Sequence, residues 1–419
     1  MNTIIRIFNY RFYVREFLLL FFCYLLSEGI FAWLFMQNSS LQVMYGKIMS
    51  IGIFAFMLYS LRKLDTLEKT YVILFSVLMV KLVIESVFLY DNIFKQFTLY
   101  TVIYPVVFTV FVKYIVRSWE IDLLEFIARF YLFSYIVFML LFGRQFSFGL
   151  EMIEMDDYGP FSGDSRVIHA RSIYMIIIPF LWYLSKLVHT PKLKYFVLFL
   201  FCVSAILLHQ HRSVWSSAIV AMVIYLLFNA RSVPSSLKNI VQFLMIFIAV
   251  VVGGYFIIAD LNPGMVNLFA ERFEEILNPA KEGSTGNFRI DQRTIYLDYI
   301  KDKPITGWSF EGFNLSNPLV DWWDENTGHH FHEGFIEILF YHGIVGLLLK
   351  YSIIVIILLK AFRKKLTQEA IILVAFCVSG LLFSLNYVLP LIFWGHAGLC
   401  LFYLDKKSKS DDLYYNSSI

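Results

Sequence analysis

His332-Glu333-Gly334-Phe335-Ile336-Glu337-Ile338-Leu339-Phe340-Tyr341-His342-Gly343-Ile344-Val345-Gly346 is a polar, histidine-bearing segment that runs without a break into a long apolar stretch. The apolar residues from 341 to 360 read as a membrane span. A titratable ring at the rim of a span is a functional signal, because ionisable groups at the edge of a bilayer need a partner or a task.

Working outward, the whole chain has the same character. Of its 419 residues 59% are hydrophobic, 19% aromatic and only 16% charged. That excludes an ordinary soluble domain and points to a polytopic membrane protein. The net charge of +3 decides little, because the distribution of Lys and Arg sets orientation. Residues 16–36 are too long for the apolar core of a signal peptide and lack a small-residue cleavage site, so they are expected to be the first span. The four cysteines, Cys23, Cys202, Cys377 and Cys400, all fall in apolar stretches, which argues for buried small hydrophobes over disulfides, metal ligands or a nucleophile.

A window of about 19 residues predicts about twelve spans: 16–36, 42–61, 70–90, 97–116, 122–142, 172–188, 195–209, 213–229, 239–259, 341–360, 369–386 and 388–404. With twelve, the clusters Arg6/Arg11/Arg15, Arg62/Lys63/Lys69, Lys113/Arg117, Lys186/Lys192/Lys194, Arg231/Lys238, Lys360/Arg363/Lys364/Lys365 and Lys406/Lys407/Lys409 share one side. The positive-inside rule makes that side cytoplasmic, with both termini inside. Residues 1–259 then carry spans one to nine, 260–340 a large outer loop with part of the active site, 341–404 spans ten to twelve, and 405–419 a cytoplasmic tail. A second long outer loop covers 143–171. Within the large loop, Arg289 to Lys301 reads as a helix ending before Pro304. Pro263, Pro279, Pro304 and Pro318 read as breakers. Neither loop is large enough for an independent enzyme domain, so chemistry is expected where loop meets bundle.

That outer face collects particular groups. Arg212 lies in the turn His209-Gln210-His211-Arg212, Arg289 and Arg293 stand one turn apart, Arg166 and Arg171 precede span six, and His332 ends the large loop. Guanidinium groups suit a pyrophosphate, because their planar fork gives two-point hydrogen bonding and keeps its charge. A histidine beside them suits a general base. Each taken singly also fits a headgroup anchor or an interfacial cap; together on one face they favour a site.

These residues resemble the motifs of the O-antigen ligase/polymerase superfamily of bacterial membrane glycosyltransferases. His332 is followed by Gly343 and Gly346 at the family's spacing of eleven and fourteen residues. Arg289 opens a helix that ends in Pro304-Ile305-Thr306-Gly307, Arg212-Ser213-Val214-Trp215 begins a span, and Ser162-Gly163-Asp164-Ser165-Arg166 fits a looser fourth element. The resemblance covers about the last half of the chain. Glu333 departs from the usual Asn, and Arg293 from a common aromatic. The resemblance implies an all-α membrane protein, GT-C-like, with a large periplasmic loop, in the bacterial inner membrane and active on the periplasmic face. It implies transfer of a glycan from undecaprenyl pyrophosphate to an acceptor hydroxyl. His332 would be catalytic, and Arg212, Arg289, Arg293 and Arg166 would bind the substrate pyrophosphate. Neither a cofactor nor a metal is implied. The partners are the undecaprenyl-pyrophosphate-linked oligosaccharide and membrane lipids, with room for a chain-length regulator and none for nucleic acid.

The favoured reading is a polymerase of lipid-linked repeat units, because such chains are aromatic-rich and no acceptor-specific motif is evident. The alternatives are a ligase delivering the finished glycan to lipid A-core or protein, and a lipid-linked glycan flippase. The flippase reading predicts internal repeats, broken helices and midplane charges. Other features are set aside. Asp321-Trp322-Trp323-Asp324 is similar to an element of much larger oligosaccharyltransferases, but a Trp pair near an interface is commonly an aromatic belt. Asp156-Asp157 reads as a solvated pair, and His329, His330 and His332 lack the carboxylate pattern of a metal site. Lys81 and Glu85, four apart, neutralise each other on one face. Glu28 and Lys47 are isolated ionisable groups that read as structural or acceptor-path residues, with no assigned role.

Overall fold

The computed structural model describes residues 4–7, 10–33, 39–93, 97–142, 168–278, 280, 285–318 and 328–406. Apart from a short antiparallel hairpin, β1 (Ile4–Ile7) and β2 (Tyr10–Tyr13), the regular structure among the described residues is helical. In chain order the helices are α1 (Val14–Leu25), α2 (Ile30–Trp33), α3 (Ser39–Tyr59), α4 (Thr66–Tyr90), α5 (Phe97–Ile103), α6 (Pro105–Trp119), α7 (Leu124–Phe142), α8 (Ala170–Met175), α9 (Ile177–His189), α10 (Leu193–Leu208), α11 (Arg212–Ser232), α12 (Leu237–Leu261), α13 (Pro263–Leu277), α14 (Thr285–Asp302), α15 (Gly334–Arg363), α16 (Gln368–Ser384) and α17 (Leu391–Asp405).

Among the described residues, six helical segments are long and apolar enough to cross a membrane: Thr66–Tyr90, Leu124–Leu141, Ala170–His189, Arg212–Ser232, Leu237–Leu261 and Gly334–Arg363. A seventh is α5 with α6, bent by 51°. The bend has a local cause: Pro105 offers no N–H to continue α5 and sits instead at the first position of α6. The chain is thus a multi-pass membrane protein. Against the expected count of about twelve, the remaining apolar helices, Gly46–Tyr59, Leu193–Leu208, Gln368–Ser384 and Leu391–Asp405, are shorter. Helix α12 turns Met245, Val251, Phe256 and Ile257 outward, as a helix solvated by lipid does. All four cysteines are free and buried.

The bundle has two chemically different ends. At one, Lys113 of α6, almost wholly buried, meets Asp65 (2.6 Å), Glu68 (3.4 Å) and Asp405 (3.0 Å). Arg117 adds bonds to Asp65 (3.0 Å) and Glu68 (2.9 Å), and Lys360 pairs with Asp405 at 2.5 Å. Asp65 and Glu68 also form a capping box that starts α4. This network ties α4, α6, α15 and α17 together at what we term the basic end. A buried ammonium is tolerated there because three carboxylates surround it.

The other end, the loop end, carries α13, α14 and the turns after them. Helix α14 contains the expected helix. Helix α13 was not expected: Pro263 and Pro279 read as breakers of a loop, but Pro263 occupies the first helical position, where its missing N–H costs nothing. Phe269 and Phe273, four apart, pack on Trp215 of α11 at 5.7 and 5.3 Å between ring centroids. Trp215 donates its indole N–H to the Ile206 carbonyl (2.9 Å), so the Arg-x-x-Trp element fixes the α10–α11 corner and carries α13.

Helix α15 is broken at Gly343, whose φ is +60°. The turn after α14 fills the break. Ile344 N–H donates to the Pro304 carbonyl (2.9 Å) and Val345 N–H to that of Ile305 (3.1 Å), while Trp308 N–H donates to Phe340 (2.7 Å). Gly307, at φ +70°, completes the joint. A Cβ there would lie 2.5 Å from the His342 nitrogen, and one at Gly343 would lie 2.4 Å from the Ile305 oxygen. The Pro304-to-Gly307 element and Gly343 are therefore two halves of one contact, and glycine is required at both by sterics and by backbone conformation. This joint holds the first two turns of α15, and with them His332, against α14.

Candidate active site

Helix α14 is polar overall, but Gln292, Tyr296 and Ile300 form a buried stripe at four-residue spacing. Gln292 is buried, and both ends of its amide are used across Phe331. Its Nε2 donates to the His330 carbonyl (2.8 Å), and its Oε1 accepts from His332 N–H (3.1 Å). This bracket fixes the backbone on both sides of the turn that presents His332. Phe288, one turn earlier, sets its ring edge-on to the imidazole at 5.5 Å.

Arg293 and Glu333, the two departures from the family pattern, meet each other. Arg293 Nε lies 3.1 Å from Glu333 Oε2, and its terminal nitrogen 2.5 Å from Oε1. The carboxylate is buried and the guanidinium about half exposed. The bidentate bond to Glu333 raises the Arg293 pKa further. Arg293 is therefore held by Glu333, the N-cap residue of α15, next to His332.

Around His332 the structure gathers Arg289, His330, Arg171 and His169. Arg289 stacks its guanidinium over the Tyr387 ring at 5.1 Å. Tyr387 in turn meets His169 edge-on at 5.8 Å, and His169 Nδ1 accepts from Arg171 N–H (3.1 Å) as the cap of α8. His330 lies perpendicular to His332 at 4.7 Å. Burial, followed by the charges of Arg289, His330, Arg171 and His169, pushes the His332 pKa down to about 3. The imidazole is thus neutral at physiological pH and has a lone pair to accept a proton. His329 has a different part: Tyr296 hydrogen-bonds its Nδ1 (2.6 Å), and its Nε2 faces the Gly312 and Leu315 carbonyls (2.9 and 3.0 Å), so it ties the loop together.

Arg212, at the start of α11, lies in a second group. It pairs with Glu275 of α13 at 2.8 Å, and Arg272 pairs with the same carboxylate at 3.0 Å. A cation at a helix N-terminus opposes the helix dipole, and Glu275 offsets that. Arg166, Asp156, Asp157, Asp164 and the Asp321-to-Asp324 stretch lie outside the described residues. Among the described residues no group of three or more His, Cys, Asp or Glu is arranged to hold a metal ion. Lys81 and Glu85 pair at 2.8 Å as expected, and Lys81 also donates to Ser309 Oγ (2.9 Å). Sequence reading missed Gln292, Arg272 and Glu275 and left Arg171 without a role. The buried stripe 292/296/300 was the signal that could have found Gln292.

Taken together, these features define a multi-pass helical membrane protein whose chemistry-bearing side chains collect where a loop-end helix meets the bundle. Residues 197–351 match the family model described as O-antigen ligase, a stretch that contains Arg212, Arg289, Pro304, Gly307, His332, Gly343 and Gly346. That part of the chain is thus similar to the O-antigen ligase family, a likeness that points to a membrane glycosyltransferase-like enzyme. No curated protein matches the chain.

Proposed function

We propose that the protein is a polysaccharide polymerase. It would transfer glycan from undecaprenyl pyrophosphate to a sugar hydroxyl of a second lipid-linked repeat unit, on the periplasmic face of the bacterial inner membrane. The observation that carries the reading is that His332 and Arg289, both inside the family-matched stretch, stand together with Arg171 from the start of α8. In the proposed step the acceptor oxygen attacks C1 of the donor sugar. The bond from C1 to the phosphate oxygen breaks, its electron pair leaves with the pyrophosphate, and the hydroxyl proton passes to the His332 ring. Arg289 and Arg171 stabilise the departing charge by charge-assisted hydrogen bonds. Their charges also hold His332 at low basicity, so a bound pyrophosphate, by cancelling them, raises that basicity where it is needed. Arg212 and Arg272 form a second anion-binding group, in which substrate oxygens compete with Glu275. Guanidinium groups carry the charge in this scheme, and we propose that transfer is independent of metal: activity of the purified protein should persist in chelator.

In this reading the membrane is crossed about twelve times, as each of the twelve apolar stretches contains a helix or helix pair. The basic end then faces the cytoplasm with both termini, and the loop end faces outward. A ligase is the second reading, favoured by the description of the matched family model. Two features predicted by transport are present, bends at Pro105 and Gly343 and a buried Lys350. However, the Gly343 break is occupied by the Pro304–Gly307 turn, so its freed backbone groups are used structurally. Deletion separates the remaining two readings. Cells lacking a polymerase show single repeat units on the acceptor, whereas cells lacking a ligase accumulate long chains on the lipid carrier.

A further inference from the structure

A cavity of about 560 Å³ opens beside the candidate active site and is not used in the scheme above. Its walls come from α1, α2, α3, α5, α6, α8 and α15 and from the start of α17 with the segment before it. Its lining includes Glu28, Lys47, Arg171, Glu337 and Lys350, with Ser and Thr hydroxyls from α3 and α5. Such a concentration of ionisable groups inside an apolar bundle is costly and marks a function. Glu28 accepts from the backbone N–H groups of Leu391 and Ile392. Lys350 donates to the Val102 carbonyl at 2.9 Å and lies 5.5 Å from the Trp394 ring centre. Glu337 Oε2 and Arg171 Nε are sealed from solvent and have no hydrogen-bond partner among the described residues. Arg171 bears electrostatically on Glu28, Glu337 and His332, so cavity and base share a wall.

The lining selects a ligand class. Carboxylates and cations face the same space, which suits neither a bare anion nor a bare cation, and the apolar wall between them, with Phe97, Phe108 and Leu389, suits the C–H faces of a sugar ring. What remains is a neutral molecule rich in hydroxyls, each of which donates to a carboxylate and accepts from an ammonium. The volume falls in the range of about 300–1,000 Å³ usual for small-ligand sites. We propose that this cavity is a saccharide site, with Glu28 and Glu337 accepting from sugar hydroxyls, Lys350 donating to sugar oxygens, and Arg171 standing at the wall it shares with the pyrophosphate site. The assignment rests on the glycan-transfer reading, and the sugar belongs either to the donor or to the acceptor.

The test uses the full-length protein in nanodiscs and two probes. One is the oligosaccharide repeat unit of the host's own surface glycan, freed of lipid and phosphate by mild acid. The other is farnesyl pyrophosphate, which carries no sugar. Glu337→Gln and Glu28→Gln are expected to weaken oligosaccharide binding by about tenfold, the scale of one charge-assisted hydrogen bond, and to leave farnesyl pyrophosphate binding unchanged. Gly46→Phe is a charge-free control: nothing lies within 4 Å of a Cβ placed at Gly46, which lines the cavity, so the ring can plug the cavity without unfolding the helix. It should weaken the oligosaccharide alone. A rise in KM for the lipid-linked acceptor assigns the sugar to the acceptor, and a rise for the donor assigns it to the donor; either supports the proposal. Unchanged oligosaccharide binding in all three variants overturns it, as does loss of farnesyl pyrophosphate binding instead. Wild-type protein that transfers glycan but binds no free oligosaccharide sinks the cavity assignment and spares the transferase. Protein that binds oligosaccharide in the cavity but transfers nothing does the reverse.

Discussion

Replacing Arg293 with Ala removes both guanidinium bonds to Glu333, at 3.1 and 2.5 Å. The consequence falls on the carboxylate, because the Glu333 side chain is only 3% exposed whereas that of Arg293 is 44% exposed. Breaking a fully buried pair costs about 3–5 kcal/mol, and an exposed pair is worth about 0–1 kcal/mol. With one partner buried and the other open to water, the cost is about 2 kcal/mol, within the range for stranding a buried polar group. Glu333 is the residue after His332 and the N-cap of α15. If the whole strain is relieved by moving that turn, transfer falls by about thirtyfold, at about 1.4 kcal/mol per decade. Glu333→Asn in the same chain removes the stranded charge and should restore most of the activity. The assay is initial-rate transfer from a lipid-linked donor, with thermal unfolding of each variant in parallel. If Arg293 instead binds pyrophosphate directly, the double variant stays as poor as Arg293→Ala and its KM for donor stays raised. That result, or normal transfer by Arg293→Ala, refutes the reasoning.

The same geometry sets three further outcomes. Because the folded pKa of His332 is lowered to about 3 from an ordinary 6.5, the unfolded chain takes up the proton first. Its contribution to stability is therefore complete above pH 6.5 and is lost as pH falls towards 3; thermal unfolding of His332→Asn should fall less steeply than wild type across that window. Arg289→Lys keeps the charge but loses the planar fork and the stacking on Tyr387, so transfer should drop sharply in a stable, inserted protein, and a near-normal rate would make Arg289 a structural residue. Reporter fusions after Thr306 and after Lys365 should report opposite sides of the membrane, and identical sidedness would remove the proposed outward-facing site.

Continuous hydropathy marked the apolar helices because a span must satisfy its backbone internally, whatever it packs against. Thus each expected stretch contains a helix, and Arg289 to Lys301 lies inside α14. Partnerships were less legible, since one sequence position does not name the distant group that answers it. Pro304, Gly307 and Gly343 were marked by resemblance, but only the fold shows that the turn's carbonyls fill the helix break. Arg293 and Glu333 read as two separate departures and prove to be one ion pair. Gln292 went unnoticed because an amide in a polar helix carries no signal until its buried face is phased. Helix α13 was hidden by Pro263, which reads as a breaker although it also starts helices.

The central claim is that His332 is the base, and its most direct test is the rate of glycan transfer by His332→Ala beside His330→Ala. The two rings lie 4.7 Å apart, so both variants disturb the same neighbourhood and only one removes the proposed proton acceptor. Loss of a general base costs about 10²–10⁴-fold. His332→Ala should therefore stop chain growth in a normally inserted protein, while His330→Ala retains most of the rate. Wild-type transfer by His332→Ala, or a dead His330→Ala beside an active His332→Ala, would contradict the account.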